Sequence, residues 1–196
     1  MISYISGKLA HKEASFAVIE ANGVGYELKI SLQTYAALPE EGAVCRLFTF
    51  LNIREDAHIL YGFWESSEKS LFLHLISVSG VGPAMALIML SSMSAPEIRG
   101  AIIQENIRVI QGIKGIGAKT AQRLVLELKD RMLKDGGDSD IAAAYSGAGG
   151  SRRAEALAAL VTLGVARAVA EKSLDAILKK YGENVSVEEL IKLSLR

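Results

Sequence analysis

Two short glycine motifs are the residues of this sequence best suited to binding a charged ligand. Gly80 and Gly82 flank one apolar residue, and 35 residues later Gly115 and Gly117 flank another, each motif lying between two helical patterns. Glycine permits positive φ, so such a turn can present successive backbone N–H groups just before the next helix begins. Amides in this arrangement bind anions, above all phosphate.

Spacing separates three kinds of phosphate site. Ala118 stands between Gly117 and Lys119, whereas a P-loop requires lysine directly after its last glycine. A dinucleotide-binding fingerprint starting at Gly115 requires a third glycine where Thr120 stands. The helix-hairpin-helix remains, a motif whose amides hold a nucleic-acid phosphate without contacting the bases. The alternative that each turn merely joins two helices stays open, although a tandem repeat disfavours it.

A polar loop carries the second group of candidate residues. Arg54, Glu55 and Asp56 join two strongly apolar segments, and on residue types alone they form an ordinary hairpin loop. Adjacent carboxylates also occur in metal sites and acid–base sites, although no supporting cluster stands nearby in the sequence. A third possibility is repulsion, because carboxylates held against a phosphate backbone disfavour contact and separate strands. That role requires other sites that hold the same nucleic acid.

Composition restricts the classes of function. The chain has 196 residues, 50% of them hydrophobic, with 22 basic and 22 acidic side chains. A net charge of zero argues against coating DNA by bulk electrostatics, although residues 65–135 carry nine basic and seven acidic groups, a net +2. The single cysteine excludes an internal disulfide, and the three separated histidines predict no metal site. Without a long apolar run or a recognisable signal peptide, we expect a cytoplasmic protein with no membrane span and no cofactor.

Changes of hydrophobic periodicity along the chain predict a multidomain α+β protein. Residues 1–64 alternate with period two and include five short strands and one helix, which predicts an OB-type barrel, with an SH3-like barrel as the alternative. Residues 65–135 follow a helical period and predict a compact all-α domain around the two glycine motifs. Residues 136–151 are rich in glycine and small residues and predict a flexible linker. Residues 152–196 predict a small domain of three amphipathic helices, of the kind that binds a partner when tethered.

Taken together, these motifs resemble the RuvA family of Holliday junction branch migration proteins. The similarity lies in segments 23–27, 53–63, 80–83 and 115–121, in the same order along residues 1–135. The linker and the last domain agree with the family in size and helix pattern more than in residues. The motifs are specific, because the acidic loop and both hairpins occur together.

The resemblance implies an N-terminal OB-fold barrel, a tandem helix-hairpin-helix domain and a C-terminal UBA-like domain that binds the RuvB motor ATPase. It implies a non-enzymatic subunit that holds four-way DNA junctions open for branch migration in recombination, DNA repair and the SOS response, alongside the RuvC resolvase. It also implies a homotetramer, alone or paired into an octamer. Four copies acting on one junction would let avidity replace bulk charge.

The resemblance also assigns DNA contacts to individual residues. The phosphate-binding set is Gly80, Gly82, Gly115, Gly117, Lys114, Lys119 and Arg123. The sequence departs from the family after each hairpin, where common lysines are replaced by Ala84 and Ala118. With these replacements, we expect the phosphate contacts to be made mainly by backbone amides, and Lys114 to supply compensating positive charge.

Two further roles follow from the resemblance. Glu55 and Asp56, with Arg54 beside them, correspond to an acidic pin at the junction centre. In the last domain an apolar surface would bind the partner, and the residues at that place are Leu160, Leu163 and Val165. The sequence alone does not distinguish these three from the core of so small a domain.

Two other functions stay open on sequence alone. A helix-hairpin-helix nuclease or glycosylase requires an acidic cluster or a nucleophilic lysine near the hairpins. Only Glu127 and Asp130 stand there, and both suit a solvated helix surface. A structural adaptor that binds no DNA is the other alternative, and binding to a four-way junction distinguishes it from the first two.

Overall fold

Five strands close into a barrel in this computed structural model, which describes residues 2–135, 152–182 and 185–195. The strands are β1 (Tyr4–Glu13), β2 (Phe16–Ala21), β3 (Val24–Ile30), β4 (Val44–Ile53) and β5 (His58–Phe63), with helix α1 (Leu32–Ala37) between β3 and β4. Their order around the barrel is β1-β2-β3-β5-β4. The paired strands are antiparallel except for β3 with β5. The OB-type barrel predicted from the alternating pattern is confirmed.

Alternation along the strands fills the barrel from inside. Because successive side chains of a strand point to opposite faces, every second residue can be apolar and enclosed. Leu9, Ile19, Leu28 and Leu47 come from four different strands and are fully buried in one cluster. β5 is apolar at consecutive positions, which indicates that its outer face is also covered.

Five helices follow the barrel and provide that cover. They are α2 (Ser66–Ile76), α3 (Pro83–Ser92), α4 (Ala95–Ile103), α5 (Ile107–Gln111) and α6 (Ala118–Asp135). Phe72 on α2 packs against the outer face of β5, with ring centroids 5.2 Å from Tyr61 and 4.9 Å from Phe63. The helices and the outer face of the barrel thus share one hydrophobic core, within a compact unit spanning Met1–Lys134.

A buried carboxylate connects the barrel to the first of these helices. Glu68 on α2 is 6% exposed and accepts hydrogen bonds from the hydroxyls of Ser31 and Thr34, the latter at 2.6 Å. Thr34 Oγ1 in turn accepts the Trp64 N–H at 3.0 Å. Burial raises the pKa of the Glu68 carboxyl from its ordinary 4.5, although the hydrogen bonds from Ser31 and Thr34 oppose that shift. A network that satisfies its own members in this way stabilises one relative placement of α1 and α2.

The stabilising effect of Glu68 should depend on pH. A carboxyl whose pKa is raised by folding binds its proton more tightly in the folded state. Its contribution to the free energy of unfolding is therefore complete below the unfolded-state pKa and is lost as the pH rises through the folded-state pKa. We therefore expect the free energy of unfolding of the wild-type protein, relative to Glu68→Gln, to fall as the pH is raised from 4.5. Denaturant titrations followed by the emission of Trp64, the only tryptophan, measure this difference.

A second substitution separates protonation from lost hydrogen bonds. Glu68→Ala should lower the free energy of unfolding by about 3 kcal/mol, because two buried hydroxyls lose their acceptor. Glu68→Gln keeps an acceptor and should cost less. A wild-type stability that runs parallel to that of Glu68→Gln at every pH would contradict the proposed titration.

The second compact unit, Asp135–Arg196, contains three helices in its described part. They are α7 (Arg152–Thr162), α8 (Arg167–Tyr181) and α9 (Val187–Ser194). Their apolar faces meet in a small core of Ala156, Leu160, Ala170, Leu174, Ile177, Val185 and Leu190. The predicted three-helix domain is confirmed, and the linker predicted for residues 136–151 lies outside the described residues.

Candidate nucleic-acid interface

The first glycine motif is a tight turn between α2 and α3. The Val81 N–H donates to the Val78 carbonyl at 3.0 Å, which closes the turn and directs the Val81 side chain into the shared core. Gly80 has a φ of +95°, which glycine adopts without the strain that a side chain would cause. Gly82, with a φ of −86°, is the N-cap of α3, and Pro83 is the first helical residue. The helix therefore begins directly at the turn.

The second motif repeats this backbone geometry. The Ile116 N–H donates to the Ile113 carbonyl at 3.1 Å, and Ile116 is buried in the same core. Gly115 has a φ of +92°. The Gly117 carbonyl accepts the Ala121 N–H at 3.0 Å, the same distance as in the corresponding bond at the start of α3. The repeat seen in the sequence is thus one supersecondary structure used twice.

The glycine amides of both turns are accessible to a ligand. All four glycines are exposed, and none of the inter-element backbone hydrogen bonds found in the described part of the chain has one of their N–H groups as donor. Each turn lies where a helix begins, and the partial positive charge of a first helical turn favours an anion. A methyl group added at Gly82 or Gly117 would meet no protein atom within 4 Å. The geometry therefore permits a phosphate to approach both turns closely.

Two lysines beside the second turn are unengaged cations. Lys114 and Lys119 are exposed, and within the described ranges neither takes part in an ion pair or side-chain hydrogen bond. Ala84 and Ala118 are also exposed, so the positions just after each hairpin present no charge. The lysine charge next to the hairpins is therefore found at the second turn, whereas the cations that reach the first turn are arginines from α6.

Arg123 differs from these lysines because it already contacts the protein. Its Nη1 donates to the Ser79 carbonyl in the first turn at 3.1 Å, and its Nε lies 3.6 Å from Glu127 Oε1. In the opposite direction Met85 on α3 reaches the second turn, where a methyl group built on Gly115 would come within 2.6 Å of Met85 Cε. Sequence reasoning missed Met85 and the Ser79 carbonyl, because contacts between separate turns leave no mark in periodicity.

The acidic loop belongs to the barrel, where it joins β4 to β5. Arg54, Glu55 and Asp56 are exposed between β4 and β5, and the Arg54 N–H donates to the Ala57 carbonyl at 2.9 Å, which fixes a short turn. Across the described residues, no ion pair holds either carboxylate, and no group of three His, Cys, Asp or Glu side chains could hold a metal ion. The loop thus presents two unneutralised carboxylates to solvent.

The three apolar residues assigned to the last domain have different environments. Leu160 is fully buried and belongs to the core, so it does not form part of a surface. Val165 is partly buried against that core, whereas Leu163 is 64% exposed. Val161 and Val169 are also exposed close to Leu163 in the sequence. Three exposed apolar side chains therefore stand near the turn between α7 and α8, and Leu160 is not among them.

The length and hydropathy of the helices can be compared with those of a membrane-spanning helix. Within the described ranges, no single helix is long and apolar enough to cross a membrane. Among the described helices, only α3 and α4 taken together satisfy the length and composition, and they are bent by 99° relative to each other.

Three family models match the chain. The model of the RuvA N terminal domain matches residues 1–62, that of the SAM-like helix-hairpin-helix tandem matches residues 72–130, and that of the RuvA C-terminal domain matches residues 151–196. Together they cover the barrel, the paired hairpins and the last three helices.

Curated relatives match over essentially their full length. A protein of Cytophaga hutchinsonii is 50% identical over 198 residues, which cover 100% of this chain and 99% of the relative. A protein of Christiangramia forsetii is 45% identical, with 100% and 99% covered, and one of Geotalea daltonii is 41% identical, with 100% and 98% covered. Each of the three is named Holliday junction branch migration complex subunit RuvA.

Proposed function

The chain belongs to the RuvA family, and we propose that it binds four-way DNA junctions by their shape and holds them open for branch migration. In this proposal it is a non-catalytic subunit that recruits the RuvB ATPase, acts in the cytoplasm and serves recombination, DNA repair and the SOS response. The observation that carries the proposal is the pair of equivalent turns with accessible glycine amides.

The proposed DNA contacts are made with the phosphate backbone. Gly80, Gly82, Gly115 and Gly117 supply amides, and Lys114 and Lys119 supply charge, all of them on exposed loops or the first turn of a helix. Such contacts position a protein on DNA without reading the base sequence. We therefore expect recognition of the junction's geometry with little preference for its sequence.

The acidic loop supplies the opposing element. Arg54, Glu55 and Asp56 form the proposed pin at the junction centre, where unneutralised carboxylates keep the strands of neighbouring arms apart. Their exposure and lack of ion pairs within the described ranges support this role, since neutralised carboxylates would not repel phosphate.

The proposed assembly is a homotetramer, alone or as two tetramers paired into an octamer. A net charge of zero gives each protomer little long-range attraction for DNA. Once one protomer of the tetramer has bound a junction, the hairpins of the other three bind the same DNA intramolecularly. The overall affinity is therefore much higher than that of one pair of hairpins. Avidity thus explains how a chain with a net charge of zero holds a polyanion.

The last domain is the proposed attachment point for RuvB, with the RuvC resolvase as a further partner of the complex. The exposed side chains of Val161, Leu163 and Val169 near one turn support this assignment, because apolar side chains there are available to a partner. Val165 is partly buried against the core of this domain, and Leu160 lies within that core.

A binding experiment tests the proposal. Fluorescence anisotropy would compare a synthetic four-way junction with a linear duplex of the same arm sequence over a series of salt concentrations. We expect much tighter binding to the junction, weakening as salt rises because counterions are released. Equal affinity for both DNAs would refute the proposal, and cleavage of the junction in the presence of Mg²⁺ would instead favour a nuclease.

A further inference from the structure

We infer that Arg123 and Met85 form a cross-hairpin brace, in which each side chain, from the helix that follows one hairpin, fixes the turn of the other. Arg123 is then a positioning residue rather than a phosphate ligand. The predicted effect of the brace on DNA binding rests on the proposed function. Its predicted effect on the two turns can be measured in the protein without DNA.

The contacts of the brace are reciprocal. From α6, after the second hairpin, Arg123 Nη1 donates to the Ser79 carbonyl at 3.1 Å. From α3, after the first hairpin, Met85 covers Gly115 so closely that a Cβ there would lie 2.6 Å from its Cε. Each turn is therefore held by a side chain that belongs to the other half of the repeat.

Peptide geometry explains why the Ser79 carbonyl matters. The described part of the chain has no cis peptide bond, so the carbonyl of Ser79 and the N–H of Gly80 point in opposite directions from one rigid plane. By holding that carbonyl, Arg123 fixes the direction in which the Gly80 amide points. The Gly80 amide is one of the proposed phosphate donors.

The shared core does not fix this peptide plane by itself. Val81 anchors the turn from inside, but apolar packing has no directional preference. Gly80 has a φ of +95° and no atom within 4 Å of where its Cβ would be, so no side chain packs against that side of the residue. The hydrogen bond from the Val81 N–H to the Val78 carbonyl closes the turn. A charge-assisted hydrogen bond from the Arg123 guanidinium adds a directional restraint on the Ser79 carbonyl itself.

Neighbouring contacts hold Arg123 in place. Glu127, one helical turn further along α6, lies 3.6 Å from its Nε. Arg131, two turns beyond Arg123, donates from Nη1 to the Ser77 hydroxyl at 3.1 Å, at the end of α2. α6 thus contacts the first half of the repeat at two points, and the Arg123 guanidinium has protein partners at both Nη1 and Nε although its side chain is partly exposed.

Salt dependence distinguishes a positioning residue from a phosphate ligand. Each phosphate neutralised on duplex DNA contributes about 0.9 to the slope of log affinity against log salt. Loss of a phosphate ligand therefore lowers the slope, whereas loss of a positioning residue weakens binding at every salt concentration and leaves the slope unchanged. Lys119 supplies the matched control, because it is exposed and forms no ion pair within the described ranges.

The experiment compares the full-length wild-type chain with Arg123→Gln, Arg123→Lys and Lys119→Gln. Junction affinity would be measured from about 50 to about 200 mM KCl. We expect Arg123→Gln to weaken binding about tenfold without changing the slope, and Lys119→Gln to lower the slope. Arg123→Lys should restore part of the affinity, because an ammonium can still donate to the Ser79 carbonyl.

A measurement without DNA separates failure of the brace from failure of the proposed function. Backbone ¹⁵N relaxation should show increased motion of the Gly80 amide in Arg123→Gln, with an unfolding midpoint close to wild type. It should also show increased motion of the Gly115 amide in Met85→Ala, which will be less stable because Met85 packs against the core. An equal loss of slope in Arg123→Gln and Lys119→Gln, or an unchanged Gly80 amide, would overturn the brace. Failure of the wild-type chain to prefer a junction would overturn only the proposed function.

Discussion

Replacing Gly82 and Gly117 together with alanine is expected to weaken junction binding on the order of 100-fold while leaving the fold intact. A methyl group at either position would meet no protein atom within 4 Å, and Gly82 has an ordinary φ of −86°. The folded chain therefore accommodates both changes, at about 0.5–1 kcal/mol for losing glycine at an N-cap. DNA would not accommodate them, because the methyl groups would stand where the phosphate must approach the amides.

Other glycines of the same domain make this result interpretable. Gly80→Ala should lower the free energy of unfolding by about 1–2 kcal/mol, because a φ of +95° strains a side chain. Gly115→Ala should cost at least as much, because its φ is +92° and the new Cβ would also displace Met85 Cε. Gly100→Ala lies within α4 with open space around it, so it should leave junction affinity unchanged and stabilise the helix slightly. Wild-type affinity in a folded Gly82→Ala, Gly117→Ala variant would show that DNA does not approach these turns.

Local signals explain which parts of this fold could be predicted. Period-two alternation in β1–β5 and the change to a helical period after Trp64 reflect which face each residue buries, and burial is imposed residue by residue. The hairpins were predictable for the same reason. Within three positions, the first glycine forms the turn, the apolar residue is buried in the core, and the second glycine begins the next helix.

Contacts between distant segments account for what could not be predicted. Glu68 resembles a solvated helix residue in the sequence, and its burial depends on Ser31 and Thr34, which precede it by 37 and 34 residues. Arg123 has the residue type of a phosphate ligand, yet its hydrogen bond runs to a backbone carbonyl, which no side-chain pattern encodes.

In the last domain, the burial of two residues that are close in sequence could not be predicted either. Leu160 and Leu163 are three residues apart on one apolar pattern, yet one is fully buried and the other is 64% exposed. α7 ends at Thr162, so Leu163 leaves the helical face that Leu160 occupies. In so small a domain the end of a helix decides between core and surface, and helix ends are the least predictable feature of a sequence.

Replacing Glu55 and Asp56 together with lysine is expected to preserve or increase junction affinity while changing how far the strands separate. The change converts two negative charges into two positive charges on each protomer, and on a tetramer every loop faces the same junction centre in the proposed assembly. Attraction should then replace repulsion, giving up to about tenfold tighter binding at low salt and a steeper salt dependence. The fold should tolerate the change, because both side chains are exposed and unpaired within the described ranges.

Strand separation can be measured directly with 2-aminopurine placed at the junction centre, whose fluorescence increases when the base unstacks. We expect the lysine variant to show less unstacking than wild type at saturating protein. The control is Glu20→Lys with Glu40→Lys, two exposed barrel residues outside the loop, which changes the net charge equally and should leave unstacking at the wild-type level. If the loop variant lost all binding while the control bound normally, the carboxylates would serve structure or coordinate a ligand. An acidic pin acting by repulsion predicts the opposite result, because binding and strand separation then depend on different residues of the same chain.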